Sequence, residues 1–273
     1  MKEIGEKDLY QEDCFSPDIL RKHTIRIDVD RQQRLKSASS SNGNQMKWYT
    51  KEGFVKADCL GYEALAEMLV CWLLKYIRNF SFAYVRYYPC CLYENGIYIK
   101  RGCFSKNYME NAEEVTFGDL LNANLRSFSI SYDELRELLL DETGIDVKSY
   151  LDAVLCLDSI TRNEDRHFHN LAFLSNGSYR LGPVFDNGAS CMSDQLTYPM
   201  DGDFHQMVKK IYAKPFSVQF KDQIRFADRL LIDVDGFFHS VVCGTCAELQ
   251  RAFETVRYGL QEMQGISWEP AAS

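Results

Sequence analysis

Apolar residues recur along this chain with two distinct periods. Leu65, Leu69, Trp72, Leu73 and Ile77 repeat at three- and four-residue intervals, which predicts a helix with one core face that begins near Gly61. Asp133-Glu-Leu-Arg-Glu-Leu-Leu-Leu140 is amphipathic in the same sense, and Leu151 to Ile160, Phe204 to Ala213, Lys221 to Leu231 and Ala247 to Met263 also read as helices. The other period is two. Gln45-Met-Lys-Trp-Tyr-Thr50 and Gly53-Phe-Val-Lys56 alternate about the turn Lys51-Glu52, and Leu171-Ala-Phe-Leu174 faces Tyr179-Arg-Leu181 across Ser175-Asn-Gly-Ser178. Both predict hairpins. Phe80 to Tyr88 and Gly96 to Lys100 read as further strands. Strand patterns thus gather before about residue 115 and helical patterns after it.

Composition narrows the classes. At 273 residues with 46% hydrophobic content the chain can fill one large core or two small ones. Its net charge, 31 − 39 = −8, argues against general nucleic-acid affinity. The most apolar stretch, Ala64 to Ile77, is interrupted by Glu67 and Lys75 and is too short to span a bilayer. No basic segment followed by an apolar run opens the chain, so a cytoplasmic protein without membrane insertion is expected. Ten cysteines scattered through a chain of this size are expected to be reduced. Cys243-Gly-Thr-Cys246 has no second pair to complete a zinc site and reads as core packing in a helical segment; Cys90-Cys91 reads as a half-buried strand.

Chemistry concentrates at Asn163-Glu-Asp-Arg-His-Phe-His-Asn170 and, beyond the second hairpin, at Phe185-Asp-Asn-Gly188. Moving a γ-phosphoryl group needs a carboxylate to orient the attacking hydroxyl, an oxygen pair to hold Mg²⁺, and cations to neutralise the phosphates. Asp165 suits the first role, and Asn170 with Asp186 the second, because the hairpin folds Asp186 back beside Asn170. Either motif alone is better read as a polar loop with His167 and His169 solvated or capping. Two in this order, joined by a hairpin, favour the chemistry.

Asp165-Arg166-His167-x-x-Asn170 with Phe185-Asp186-Asn187-Gly188 resembles the catalytic and metal-binding loops of the HipA-like kinases and of their relatives the phosphatidylinositol 3/4-kinases. Ordinary protein kinases carry the order His-Arg-Asp. Leu151 to Ile160 resembles the helix before the catalytic loop, and Gly182-Pro-Val-Phe185 the approach to the metal loop. The resemblance implies an α+β, two-lobed protein-kinase-like fold, with a small β-rich lobe over 1–115 and a mainly helical lobe over 116–273. It implies ATP and Mg²⁺ as cofactors and a protein serine or threonine as acceptor, with Asp165, His167 and Asn170 catalytic and Asn170 and Asp186 on the metal. His167 would support the loop or touch the γ-phosphate.

The amino-terminal half should then supply phosphate contacts. Lys56 is the candidate lysine, with Lys47 and Lys51 as alternatives; Glu63 or Glu67, four apart on the helix, would pair with it, Glu63 preferred. Read without the resemblance, Glu63 serves the helix dipole and Glu67 is solvated. By composition Ser37-Ala-Ser-Ser-Ser-Asn-Gly-Asn44 is a linker. Gly43-Asn-Gln-Met-Lys47 is similar to the phosphate loop of HipA-like kinases, which makes Ser41, Asn42, Gly43 and Asn44 nucleotide contacts and the serines at 37, 39, 40 and 41 targets for autophosphorylation. Adenine is expected near Gly102-Cys-Phe-Ser-Lys-Asn-Tyr108. Several HipA-like kinases are toxins paired with an antitoxin, so a partner of that kind or another regulator is implied, although this chain is shorter than HipA. A lipid kinase is the nearest alternative, disfavoured by the acidic balance. A nucleotide-binding pseudokinase scaffold, and a metal-dependent hydrolase using Asp165, His167, His169 and Asp186, are the others.

Overall fold

The computed structural model describes residues 8–30, 35, 46–50, 52–124 and 130–264. Its amino-terminal sheet has the order β1-β4-β5-β3-β2, built from β1 (Ile25–Asp28), β2 (Lys47–Tyr49), β3 (Gly53–Ala57), β4 (Tyr87–Glu94) and β5 (Ile97–Lys106). β1 runs parallel to β4 and the other neighbours are antiparallel. The expected hairpin around residue 51 forms as β2 and β3, with Lys47 opposite Lys56. Central β5 sets Cys103 opposite Lys56, and Gly102 sits so close to β3 that a Cβ there would lie 2.1 Å from the Lys56 carbonyl oxygen. A side chain at Gly102 would push the strand carrying Lys56 away.

Helix α1 (Pro17–His23) precedes the sheet, and α2 (Glu63–Leu74) lies against β4 and β5. One buried face was expected of α2; all twelve of its residues are buried, Glu63 and Glu67 included. Its composition is apolar nearly all round, as for a helix enclosed on every side. The sheet covers one side, while Trp72 Nε1 donates to Ser240 Oγ at 2.8 Å on another. The expected strand Phe80 to Tyr88 is irregular until Tyr87. Phe80, Phe82 and Tyr84 instead pack their rings together, with Phe82 edge-on to Tyr150 at 5.4 Å, and Ala83 and Val85 bridge by backbone to Val184.

The second half is mainly helical: α3 (Phe117–Ala123), α4 (Tyr132–Thr143), α5 (Lys148–Thr161), α6 (Phe204–Val208), α7 (Phe220–Gln223), α8 (Val234–Ser240) and α9 (Ala247–Gln264). β6 (Glu113–Thr116), β7 (Ala172–Ser175) and β8 (Tyr179–Leu181) form a small sheet, and β7–β8 is the second expected hairpin. The helices expected over 204–213 and 221–231 are only α6 and α7. Pro215 cannot donate a helical hydrogen bond, and between these short helices Ile211 and Ala213 are buried from a loop while Tyr212 and Val218 are exposed. Cys243 and Cys246 lie in the turn before α9, not in a helix, and half-buried there they pack on the core. All ten cysteines are free, and burial raises the Cys243 thiol to about 11. Among the described residues no helix is long and apolar enough to cross a membrane.

Candidate active site

Helix α5 ends where Arg162 turns left-handed, at φ 57°, and releases the chain into the loop 163–170. Asp158, in the last turn, accepts Asn163 N–H and Asn163 Nδ2, each at 3.0 Å, and faces Arg166 with both oxygens, Nε at 2.9 Å and Nη2 at 3.0 Å. Arg166 is fully buried. Its Nη1 donates to the Asn170 carbonyl at 3.0 Å and the Phe185 carbonyl at 2.8 Å, and Nη2 also to Asn187 Oδ1 at 2.7 Å. One guanidinium therefore fastens the Asp165–Asn170 loop to the Phe185–Gly188 loop. Asn170 Nδ2 closes the first loop on the Asp165 carbonyl at 3.0 Å, leaving Oδ1 as an acceptor.

Asp186 adopts φ 56°, a left-handed conformation that costs a non-glycine residue about 1–2 kcal/mol. It turns the carboxylate toward the small lobe, where Lys56 Nζ meets one oxygen at 2.7 Å and Lys47 Nζ the other at 3.3 Å. Lys56 also donates to Glu67 Oε1 at 2.7 Å, and Glu67 Oε2 accepts Asn187 N–H at 2.8 Å. Burial opposes charge on both Asp186 and Lys56, yet their mutual attraction outweighs it. With Lys47 adding to the field, Asp186 is held far below the usual carboxylate range; Asp186 and Glu67 together keep Lys56 well above the usual lysine range.

Asp165 faces the same cleft. Its Oδ1 lies 3.1 Å from Lys214 Nζ, and its Oδ2 lies 3.8 Å from His167 Nε2. Both ring nitrogens of His167 are buried without a hydrogen-bond partner, and burial lowers its pKa, so the neutral imidazole is favoured. Lys47, Leu60, Glu63, Asp165, Asp186 and Gly188 are among the residues lining the space between the lobes.

The structure thus brings Asp165, His167, Asn170, Asp186 and Lys56 together. Glu63 lines the cleft but does not pair with Lys56. Its carboxylate accepts the N–H groups of Cys59, Leu60 and Gly61 at 3.1, 2.7 and 3.0 Å, capping the chain before α2. Glu67, one turn further and wholly buried, is the partner, 2.7 Å from Lys56 Nζ. Ser41, Asn42, Gly43 and Asn44, and the loop serines, lie outside the described residues. Among the described residues no three histidine, cysteine or carboxylate side chains are grouped to hold a metal as the hydrolase reading needs: Asp186 is taken by two lysines, and His169 Nδ1 bonds Thr116 Oγ1 at 2.9 Å. Sequence reasoning missed Arg166 as a clamp, Tyr87, whose hydroxyl accepts Asp186 N–H at 3.3 Å, and Lys214. Arg166 sat inside the motif; the other two carried no local signal.

Two lobes with a lysine, a buried glutamate and two aspartates converging between them form a two-lobed kinase-like fold. The structure of the Helicobacter pylori proinflammatory kinase CtkA is similar over 86% of this chain and 95% of that one, with a TM-score of 0.58 and 15% identity. The HipA complex of Shewanella oneidensis MR-1, a toxin–antitoxin system with HipB and operator DNA, aligns with a TM-score of 0.39 and 13% identity over 89% of this chain and 62% of that one. No protein-family model matches the sequence, and no curated protein does. The two-lobed kinase-like fold that the two loop motifs implied is the fold the chain has.

Proposed function

We propose that this protein is an ATP- and Mg²⁺-dependent kinase that transfers the γ-phosphoryl group to a serine or threonine hydroxyl of a protein. The observation that carries the reading is the meeting of Asp165, Asp186 and Lys56 in one interlobe cleft, with the two loops locked in register by Arg166. Asp186, kept ionised, and Asn170, with Oδ1 free of its own amide's bond, are hard oxygen donors of the kind Mg²⁺ prefers. Bound there, Mg²⁺ would neutralise charge on the β- and γ-phosphates. Lys56 binds phosphate once it parts from Asp186, and Glu67 keeps it aimed. His167, neutral and with unpartnered ring nitrogens, donates to a phosphoryl oxygen. Asp165 orients the acceptor hydroxyl and takes its proton. Ser41, Asn42, Gly43 and Asn44 supply phosphate contacts, and adenine binds near Gly102 to Tyr108, a reading supported by the stacking of Tyr108 on Phe185, next to Asp186, at 5.8 Å. A protein acceptor fits an acidic chain better than an anionic membrane does.

The test is the intact mass of wild type and Asp165→Asn after incubation with ATP and Mg²⁺, with nucleotide affinity measured in parallel. Wild type should gain phosphate, and Asp165→Asn should gain it about 10²–10⁴ times more slowly with unchanged nucleotide affinity. Asp186→Asn should weaken Mg²⁺-dependent nucleotide binding as well. Nucleotide binding without transfer by wild type, to itself or to serine- and threonine-containing peptides, would identify a pseudokinase scaffold instead.

A further inference from the structure

Lys214 has no part in the mechanism so far, although its ammonium is on the carboxylate meant to orient the acceptor. The segment around it is built rather than loose. Ile211 and Ala213 are buried in an apolar cluster with Met192, Tyr198, Met207 and Phe220. Ala213 N–H donates to the Val218 carbonyl at 3.0 Å, and Phe216 and Ser217 N–H both donate to Gln223 Oε1. The Phe216 ring packs edge-on against Phe168 at 5.7 Å and against Tyr132 at 5.4 Å. Phe168 lies between Asp165 and Asn170, so the loop that delivers the lysine also braces the backbone that carries the carboxylate.

Exposed ion pairs order little, because two mobile side chains must lose freedom to meet. Here the backbones on both sides are fixed, and the side chains are only 32% and 16% exposed. A carboxylate on a loop can present either oxygen to a hydroxyl. Lys214 engages Oδ1 and so fixes the rotation of the carboxylate, with Oδ2 3.8 Å from His167 Nε2. We propose that Lys214 is a positioning residue for phosphoryl transfer that acts through Asp165, an inference that rests on the kinase reading above. In the step it serves, the acceptor oxygen bonds to the γ-phosphorus and its proton passes to the Asp165 carboxylate. The bond from the γ-phosphorus to the bridging oxygen breaks, and its electron pair leaves with ADP. Lys214 neither gains nor loses a proton.

Single-turnover transfer from saturating ATP and Mg²⁺, to the protein itself, to a mixed serine/threonine peptide library and to water, tests this in wild type, Lys214→Ala, Lys214→Arg, Asp165→Asn and the double variant Lys214→Ala with Asp165→Asn. Lys214→Ala should slow transfer about 10- to 100-fold, with nucleotide Kd and melting temperature unchanged, and Lys214→Arg should recover most of the rate. In the Asp165→Asn background, removal of Lys214 should cost nothing further, since a residue acting through Asp165 has nothing left to position. An equal or faster rate in Lys214→Ala, a loss matched by weaker nucleotide binding, or a full additional loss in the double variant would overturn the role while leaving the kinase reading intact. A wild type that binds nucleotide and transfers to none of the three acceptors would overturn both.

Discussion

An arginine has five N–H donors, and Arg166 uses all of them: two bonds to Asp158, and one each to the Asn170 carbonyl, the Phe185 carbonyl and Asn187 Oδ1. With zero exposure, these bonds decide whether the two functional loops hold their spacing. Removing the guanidinium strands Asp158 as a buried charge. Arg166→Ala should therefore destabilise the fold by about 3–5 kcal/mol in urea denaturation, and Arg166→Lys should recover less than half, because an ammonium cannot reproduce the planar fork. A loss below about 1 kcal/mol would mean the clamp contributes little. At this scale the sequence was informative where structure is local: the meeting of the loop of Asp165 and Asn170 with that of Asp186 was legible because a hairpin joins the two motifs. Glu67 was weighed as Lys56's partner and set behind Glu63. The i,i+4 spacing cannot tell which turn of a helix backs onto which strand, and burial on every side removed the expectation that Glu67 is solvated.

Among elements, the crossing of α5 and α9 controls how the catalytic loop leaves its helix. Gly259, in the middle of α9, lies so close that a Cβ would stand 2.0 Å from the Ile160 carbonyl oxygen, two residues before the chain turns into the loop. In an exposed helix, glycine to alanine stabilises by about 1 kcal/mol. Here the sign should reverse: Gly259→Ala forces the helices apart and should cost about 1–3 kcal/mol, measured by chemical denaturation, with slower phosphoryl transfer alongside. A stabilised variant would show that the helices do not meet so closely. Elements with their own pairing or periodic signals were readable, such as both hairpins and the amphipathic α4. The segments 80–86 and 209–219 were not. Phe80, Phe82 and Tyr84 have strand-like composition, yet their rings pack as a cluster and onto α5, and the loop before Phe220 is held by a buried cluster and Gln223 rather than by helical bonds.

For the whole molecule, charged bonds cross between the lobes at the site itself, beside neutral ones elsewhere such as Trp72 Nε1 to Ser240 Oγ and Val85 N–H to the Val184 carbonyl. Lys56 and Lys47 of the small lobe hold Asp186 of the large lobe, and Glu67 receives Asn187 N–H across the same gap. On the proposed kinase reading, nucleotide and metal would divide this pairing: the two lysines would hold phosphates, and Asp186 would hold the metal. Either ligand alone leaves one side of the pairing uncompensated, so nucleotide binding should depend strongly on Mg²⁺. Ligand at about 100 times its Kd stabilises a fold by about 2.7 kcal/mol, enough to read as a clear rise in melting temperature. A non-hydrolysable ATP analogue with Mg²⁺ should give that rise, and excess EDTA should remove most of it. Asp165→Asn should keep the full rise, because Asp165 lies on the acceptor side. Asp186→Asn should melt lower than wild type without ligand, since it leaves Lys56 with Glu67 alone, and should show the same small rise with or without Mg²⁺. Equal rises in wild type with and without Mg²⁺ would mean that Asp186 is not the metal ligand and that its bonds to Lys56 and Lys47 serve only to hold the lobes together.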